Sequence, residues 1–243
     1  MRYVPAVKDL FEDTRVMSEP AGAVALAGLK KYASKKKKNL LAISSGANLN
    51  FDRLSYIVER SKAWRGQRKD SSIQIPEKAG SFLKLSKIFS NSQITEFNYR
   101  LSDPNDAHVL VGIKTKSAKN FISLKNRLSK NHYPFKDLTK NEISNDHLRH
   151  MVGGRSTTAR TERVFRMEFP ERPGALLDFL EKLGNKWNIT LFHYRNLGSA
   201  FGKVLVGIQD SSKNKELLKR YLKRTGYTFT EETSNIAYKH FLE

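Results

Sequence analysis

Residues 73–83 read IQIPEKAGSFL and residues 167–177 read MEFPERPGALL. The likeness of these two stretches decides the fold. Pro76 and Pro170, Glu77 and Glu171, Gly80 and Gly174, and Leu83 and Leu177 each stand 94 positions apart. Farther along, ITEFNYR (94–100) answers ITLFHYR (189–195), and VLVGI at 109–113 recurs at 204–208, both now offset by 95. The chain is therefore an internal repeat. The change of offset places a one-residue insertion in the helix or loop that follows Leu83 in one copy and Leu177 in the other.

Each copy parses in the same way. Residues 72–75 and 166–169 alternate apolar with polar, as a half-buried strand does. A proline ends the strand, and the glycine four residues on permits a tight turn. A helix follows, with Phe82, Leu85, Ile88 and Phe89 on one face in the first copy and Leu176, Phe179, Leu180 and Leu183 in the second. Two strands come next, separated by Asp103–Pro104–Asn105–Asp106 in one copy and by Gly198–Ser199 in the other. A second helix (Phe121–Lys130; Asn214–Arg224) and a short strand (Tyr133–Leu138; Tyr227–Thr230) complete the unit. The order β-α-β-β-α-β is ferredoxin-like, which makes the fold class α+β. Both helices cover one sheet face, and two tandem copies can pair side by side or face to face to protect the rest. The boundaries are 71–143 for the first unit, 144–163 for a linker carrying Gly153 and Gly154, and 164–243 for the second.

Composition limits the alternatives. Hydrophobic residues make up 39% of the 243, enough to build cores. No apolar run reaches the ~18 residues of a membrane span, and MRYVPAVKDLFEDTR lacks the order of a secretory signal. Without cysteine there is no disulfide framework, and the six histidines show no metal spacing. A cytoplasmic location fits these features. The formal charge of +20 makes attraction to nucleic acid an alternative. The densest run, Lys35–Lys38, is short and loop-like, and no aromatic-interleaved basic stripe or zinc spacing accompanies it. A solvated basic surface is the favoured reading.

The paired motifs carry a family resemblance. PEKAGSFLK with EFNYR, and FPERPGALLDFL with NITLFHYR, resemble the two ACT-like regulatory domains of biosynthetic threonine deaminase. HLRHMVGGR (147–155) resembles the connection between them. KDLFEDTRVMSEPAGAVALAGLKKY and SSGANLNFDRLSYIVER resemble the end of that enzyme's catalytic domain, so residues 1–62 read as an incomplete remnant of a fold-type-II pyridoxal-phosphate domain. The resemblance implies a full enzyme that converts L-threonine to 2-oxobutanoate and ammonia with pyridoxal phosphate. It implies inhibition by isoleucine, relief by valine, and a homo-oligomer, typically a tetramer.

The same resemblance bears on chemistry. The family's Schiff-base lysine motif and phosphate-binding glycine loop have no counterpart in these 243 residues, so no catalytic residue is assigned and the chain alone is expected not to turn over threonine. The alternative is one piece of a split enzyme that works with an N-terminal catalytic chain. Ser45 matches the family serine that contacts the cofactor's pyridine nitrogen. On residues alone, Ser44–Ser45–Gly46 instead end a strand at Leu40–Ile43 and cap a helix starting near Asn50. Glu19, in the EPAGA stretch, reads as a helix N-terminal charge. The apolar AGAVALAGL helix belongs in a large core, and exposed apolar surface is expected around it.

For the effectors, a turn leading into a helix N-terminus supplies donors to a carboxylate. Those turns hold Gly80, Ser81 and Phe82 in the first copy and Gly174 and Ala175 in the second. Tyr99 and Tyr194 read on their own as core aromatics, while the resemblance places them in effector sites. If the strands are regular, Asn98 and His193 point to the opposite face. Asn91–Ser92–Gln93 lacks the arginine the family carries nearby.

Overall fold

The structure is a computed structural model that describes residues 3–33, 39–50, 54, 57–58, 68–115, 117–141, 143–144, 147–151, 153–195, 201–211 and 215–243. It divides into two compact units, Met1–Gln67 and Arg68–Glu243.

The first unit carries helices α1 (Tyr3–Thr14) and α2 (Pro20–Tyr32). Val4, Ala6, Val7, Ala23 and Ile57 form its small core. The predicted strand Leu40–Ile43 is absent: residues 39–50 have no regular structure, and Leu41 and Ile43 are 87% and 76% exposed. A strand needs a neighbour to take its N–H and C=O groups, and no strand is found among the unit's described residues. The helix expected from Asn50 falls largely outside the described residues. The expected apolar exposure is present, with Val24 on α2 55% exposed.

The second unit begins with β1 (Arg68–Pro76), α3 (Ser81–Ile88), β2 (Gln93–Arg100), β3 (Asp106–Lys114), α4 (Ala118–Lys130) and β4 (Phe135–Asp137). The second copy repeats this as β5 (Glu162–Pro170), α5 (Ala175–Leu183), β6 (Asn188–Arg195), β7 (Phe201–Gln209), α6 (Lys215–Arg224) and β8 (Phe229–Glu231), and a short helix, α7 (Ile236–Phe241), closes the chain. The inserted residue is absorbed by the helix. Ser81–Ile88 has 8 residues and Ala175–Leu183 has 9, and the connections that follow are equal in length. β1 and β5 start at Arg68 and Glu162, ahead of the first positions of apolar alternation. Their extra residues include buried polar groups: Arg68 and Asp70 pair at 3.0 Å, and Glu162 meets Arg100. The Asp103 carboxylate accepts from the amides of Asn105 (2.8 Å) and Asp106 (3.3 Å) to make the first inter-strand turn. The corresponding Gly198–Ser199 lies outside the described residues, as do Asn214 and the Lys35–Lys38 run.

All eight strands join one antiparallel sheet in the order β4-β1-β3-β2-β6-β7-β5-β8. The copies therefore stand side by side, joined where β2 meets β6. The seam pairs Phe97 with Tyr194, Asn98 with His193 and Tyr99 with Phe192. Because Asn98 and His193 are themselves repeat mates, a pseudo-twofold axis runs through that pair. Helices α3 and α5 pack on each other across the seam. Beneath them Phe82, Leu85, Phe97, Phe179 and Phe192 form one continuous core spanning both copies.

The opposite sheet face mixes buried polar groups with a small apolar cluster of Val164, Leu191, Tyr238 and Leu242, and is covered by the connection and by α7. Arg149, in a 3-10 turn at Leu148–His150, donates to buried Glu96, and the Asn98 amide donates to the Arg149 carbonyl at 3.1 Å. Arg100, Thr190 and Tyr238 all donate to Glu162. The glycine of each VLVGI lies under a carboxylate: a Cβ on Gly112 would meet Glu96 Oε2 at 2.1 Å, and one on Gly207 would meet Glu162 Oε1 at 2.6 Å.

Candidate functional site at the seam between the repeats

Each glycine turn lies against the start of the other copy's inner strand. Gly80 and Gly174 have φ of 87° and 83°, the left-handed region that glycine adopts without strain. Each is the N-cap of its helix and contributes no side-chain cap; the amide that opens each helix turns back on its own turn, Ser81 N–H to the Lys78 carbonyl at 3.1 Å and Ala175 N–H to the Arg172 carbonyl at 3.4 Å, so a ligand would meet the amides that follow these.

The pocket at the second turn is lined by Ser92 and Ile94 from copy one and by Phe169, Arg172, Gly174, Ala175, Leu176 and Tyr194 from copy two. Its empty volume, open solvent included, is about 320 Å³. Tyr194 is 8% exposed, and no hydrogen bond to its hydroxyl is found among the described residues. Burial raises the phenol's pKa, with the Glu171 charge adding to the shift, so the hydroxyl keeps its proton as a donor. The Cε2 edge of the ring comes up against β7, where a Cβ on Gly202 would come within 2.3 Å of it. Tyr227 braces the turn by stacking on Phe169 at 4.7 Å and hydrogen bonding Asp178 at 2.7 Å and the Ala175 carbonyl at 3.2 Å.

The pocket at the first turn is lined by Gly80, Phe82, Leu83, Leu180, Leu183, Gly184, Trp187, Asn188 and Ile189, and has an empty volume of about 240 Å³. Apart from Asn188, its side chains are apolar. Tyr99 here packs edge-on to Phe82 at 4.8 Å and donates to Glu77 Oε2. Asn188 Nδ2 reaches the other oxygen of the same carboxylate at 2.8 Å. Burial pushes the Glu77 pKa up, and the two hydrogen bonds pull against it. Ser81 is buried beside this turn.

The sequence thus placed Gly80, Phe82, Gly174, Ala175 and Tyr194 on pocket walls, and Tyr99 next to Phe82 in the first pocket's surroundings. It missed Arg172, Ser92, Trp187 and Asn188. The last three act on the turn of the opposite copy, and a motif read within one copy carries no sign of that exchange. Their signal was the 95-residue offset, which pairs Ser92 with Trp187 and Gln93 with Asn188. Asn98 and His193 lie on the polar face, away from the turns, as strand alternation predicts.

Ser45 is exposed in the first unit, and its carbonyl packs on Gly22, where a Cβ would come within 1.9 Å. Ser18 Oγ and Ser44 Oγ meet at 3.1 Å beside it. One exposed hydroxyl beside a backbone turn does not by itself fit pyridoxal phosphate.

Two ferredoxin-like units sharing one sheet, with a small cleft at each glycine turn, define the class of paired-repeat ferredoxin-like modules. The family described as the C-terminal regulatory domain of threonine dehydratase matches the chain twice, over residues 59–148 and 153–242, and the chain belongs to that family. It is 42% identical over 240 residues to the biosynthetic L-threonine dehydratase of Burkholderia multivorans, covering 98% of this chain and 47% of the relative. To the Escherichia coli enzyme of the same name it is 41% identical, with the same coverage. To the chloroplastic biosynthetic threonine dehydratase of Arabidopsis thaliana it is 41% identical over 227 residues, covering 92% of this chain and 38% of the relative. The chain thus spans about half the length of the bacterial relatives or less. No helix among the described residues is long and apolar enough to cross a membrane.

Proposed function

We propose that the chain is the amino-acid-sensing part of a threonine dehydratase, that isoleucine and valine are its effectors, and that binding at the seam is how it responds. The observation that carries this reading is the exchange across the seam, where each uncapped helix N-terminus faces the other copy. A zwitterion needs donors for its carboxylate, an acceptor for its ammonium and an apolar wall. The second turn has Arg172 and the α5 amides for the first, Glu171 nearby for the second, and Ile94, Phe169 and Leu176 for the third. A ligand held by both copies alters the fit of one against the other, and a catalytic part attached to this module feels that change as a shift in its own equilibrium.

The catalytic part would convert L-threonine to 2-oxobutanoate and ammonia, with pyridoxal phosphate supplying the electron sink, and the assembly would be a homo-oligomer. Most of its residues would lie outside the stretch that this chain matches, which covers 47% of the bacterial relatives. A split arrangement with a separate N-terminal catalytic chain is the second reading, favoured by the exposed Leu41, Ile43 and Val24 of the first unit. Titration with L-isoleucine, L-valine and D-isoleucine, followed by Trp187 fluorescence and calorimetry, tests the sensing function. Saturation by the L-amino acids and not by D-isoleucine is expected, and no saturation at about millimolar concentration (~4 kcal/mol of binding free energy) defeats it. Threonine turnover by the cofactor-supplemented chain alone would overturn its assignment as a regulatory part without catalysis.

A further inference from the structure

We infer that the two seam pockets are not equivalent: the chain binds one aliphatic α-amino acid, at the Gly174–Arg172–Tyr194 pocket, while the chain's own Asn185 and Asn188 side chains close the Gly80 pocket. This rests on the sensing function proposed above and adds which pocket senses.

Three substitutions between repeat mates produce the difference. Asn185 in copy two stands where copy one has Ser90. A Cβ built on Gly80 would meet Asn185 Oδ1 at 2.6 Å, whereas one on Gly174 finds only the Ser90 carbonyl, at 3.8 Å. The space over the first turn is thus filled by an amide, and the space over the second is open. Trp187 corresponds to Ser92. The indole is 5% exposed and held edge-on by Tyr221 at 4.6 Å, so it takes up volume that Ser92 leaves free in the other pocket.

Polar satisfaction points the same way. In the first pocket the Glu77 carboxylate already receives the Tyr99 hydroxyl and the Asn188 amide. No cationic side chain lines that pocket to meet a ligand carboxylate. Asn188 Oδ1 has no partner among the described residues and needs one donor, which a single water supplies. In the second pocket the Tyr194 ring is buried in the wall, and its hydroxyl is neither fully buried nor hydrogen bonded among the described residues. That hydroxyl is a donor open to a ligand's carboxylate, whereas the Tyr99 hydroxyl is already committed to Glu77. Arg172 lines the same opening, with its side chain 57% exposed.

The third difference sets the tyrosines. Gly202 lets the Cε2 edge of the Tyr194 ring come up against the β7 backbone, and copy one has Ala107 there. The added methyl denies Tyr99 that placement. Its hydroxyl instead meets Glu77.

Calorimetric titration of the full chain with L-isoleucine and L-valine tests the inference. One site per chain is expected. Tyr194→Phe should weaken binding about fivefold or more, the loss of one hydrogen bond, and Arg172→Met about tenfold. Tyr99→Phe should leave affinity within about twofold. Phenylalanine retains the ring packing, so the two tyrosine variants compare folded proteins. Asn185→Ser, which gives the first pocket its mate's shape, should leave the wild-type site's affinity unchanged. Two equal sites in the wild type, or Tyr99→Phe weakening binding as much as Tyr194→Phe, overturns the inference and leaves the sensing function standing. No saturation by either amino acid overturns both.

Discussion

Above the first glycine turn stands the Asn185 amide; above the second there is open space up to the Ser90 carbonyl. Both turns have the same left-handed glycine, the same uncapped helix and the same strand register across the pseudo-twofold axis. The backbone is therefore common property, and the difference lies in a few side chains contributed from across the seam. A repeat of this kind fixes where a ligand could sit, and substitutions at mated positions decide whether it can. The polar sheet face shows the same division. Glu96 receives Arg149 and the adjacent Thr95, while Glu162 receives Arg100, Thr190 and Tyr238.

The largest expected effect comes from breaking the thinner of these two networks. Arg149→Met leaves Glu96, 1% exposed, without its cation. Removing one partner of a buried pair costs about 3–5 kcal/mol, because the remaining charge stays desolvated. Adding Glu96→Gln should recover at least half of that loss, since no bare charge is then buried. At Glu162 a comparable single deletion, Tyr238→Phe, should cost only about 1–2 kcal/mol, because Arg100 and Thr190 remain. Urea unfolding of the four proteins measures these differences. A Tyr238→Phe loss as large as that of Arg149→Met would show that the two carboxylates are held alike.

Next in size is the packing contact that separates the tyrosines. Gly202→Ala places a methyl within 2.3 Å of the Tyr194 ring, which then has to move. Overpacking of this kind costs about 1–3 kcal/mol of stability, and displacement of the phenol should weaken amino-acid binding about tenfold, or ~1.4 kcal/mol. Ala107→Gly in the first copy removes a methyl and should leave binding unchanged. If Gly202→Ala binds like the wild type, the ring placement is not what makes the second pocket competent.

Much of this architecture was legible before any coordinates. Strand alternation, the Pro–x–x–x–Gly spacing and the matched VLVGI segments are local signals, and the elements formed where they pointed. Two things were not legible. One was the seam: nothing within ITEFNYR states that it pairs antiparallel with ITLFHYR, so Trp187 and Asn188 could not be assigned to the turn of the other copy. The other was Leu40–Ile43, whose apolar run looks like a strand because propensity does not report whether a partner is present. Tyr99 shows the limit of motif matching. It and Tyr194 are mates in near-identical motifs, yet one is satisfied by Glu77, and what distinguishes them includes Ala107, eight residues downstream.

The smallest predicted difference lies at the outer edges of the sheet. Repeat mates Asp137 on β4 and Glu231 on β8 both have pKa values below their usual range. Glu231 is held down first by hydrogen bonds from Arg163, at 2.9 and 3.1 Å, against the opposing effect of burial. At Asp137 burial is the largest influence and pushes up, but hydrogen bonds from Thr139 and Lys125 together outweigh it. For an acid whose folded value is depressed, the stabilisation is present above its unfolded value and is lost as pH falls through the folded one. The unfolded references are 4.5 for Glu231 and 3.8 for Asp137, so the loss begins at higher pH for Glu231. Glu231→Gln should lower stability at neutral pH by about 1 kcal/mol at most, and Asp137→Asn by less, since exposed pairs are screened by solvent. The ordering follows from geometry. Arg163 grips both oxygens of Glu231 through two nitrogens, whereas Lys125 makes a single 2.9 Å contact with Asp137 and both partners are about one-third exposed. Denaturation midpoints measured down through the carboxylate range should show each variant converging on the wild type in acid. A gap that persists when the carboxylates are protonated would mean that shape, not charge, is what Glu231 contributes.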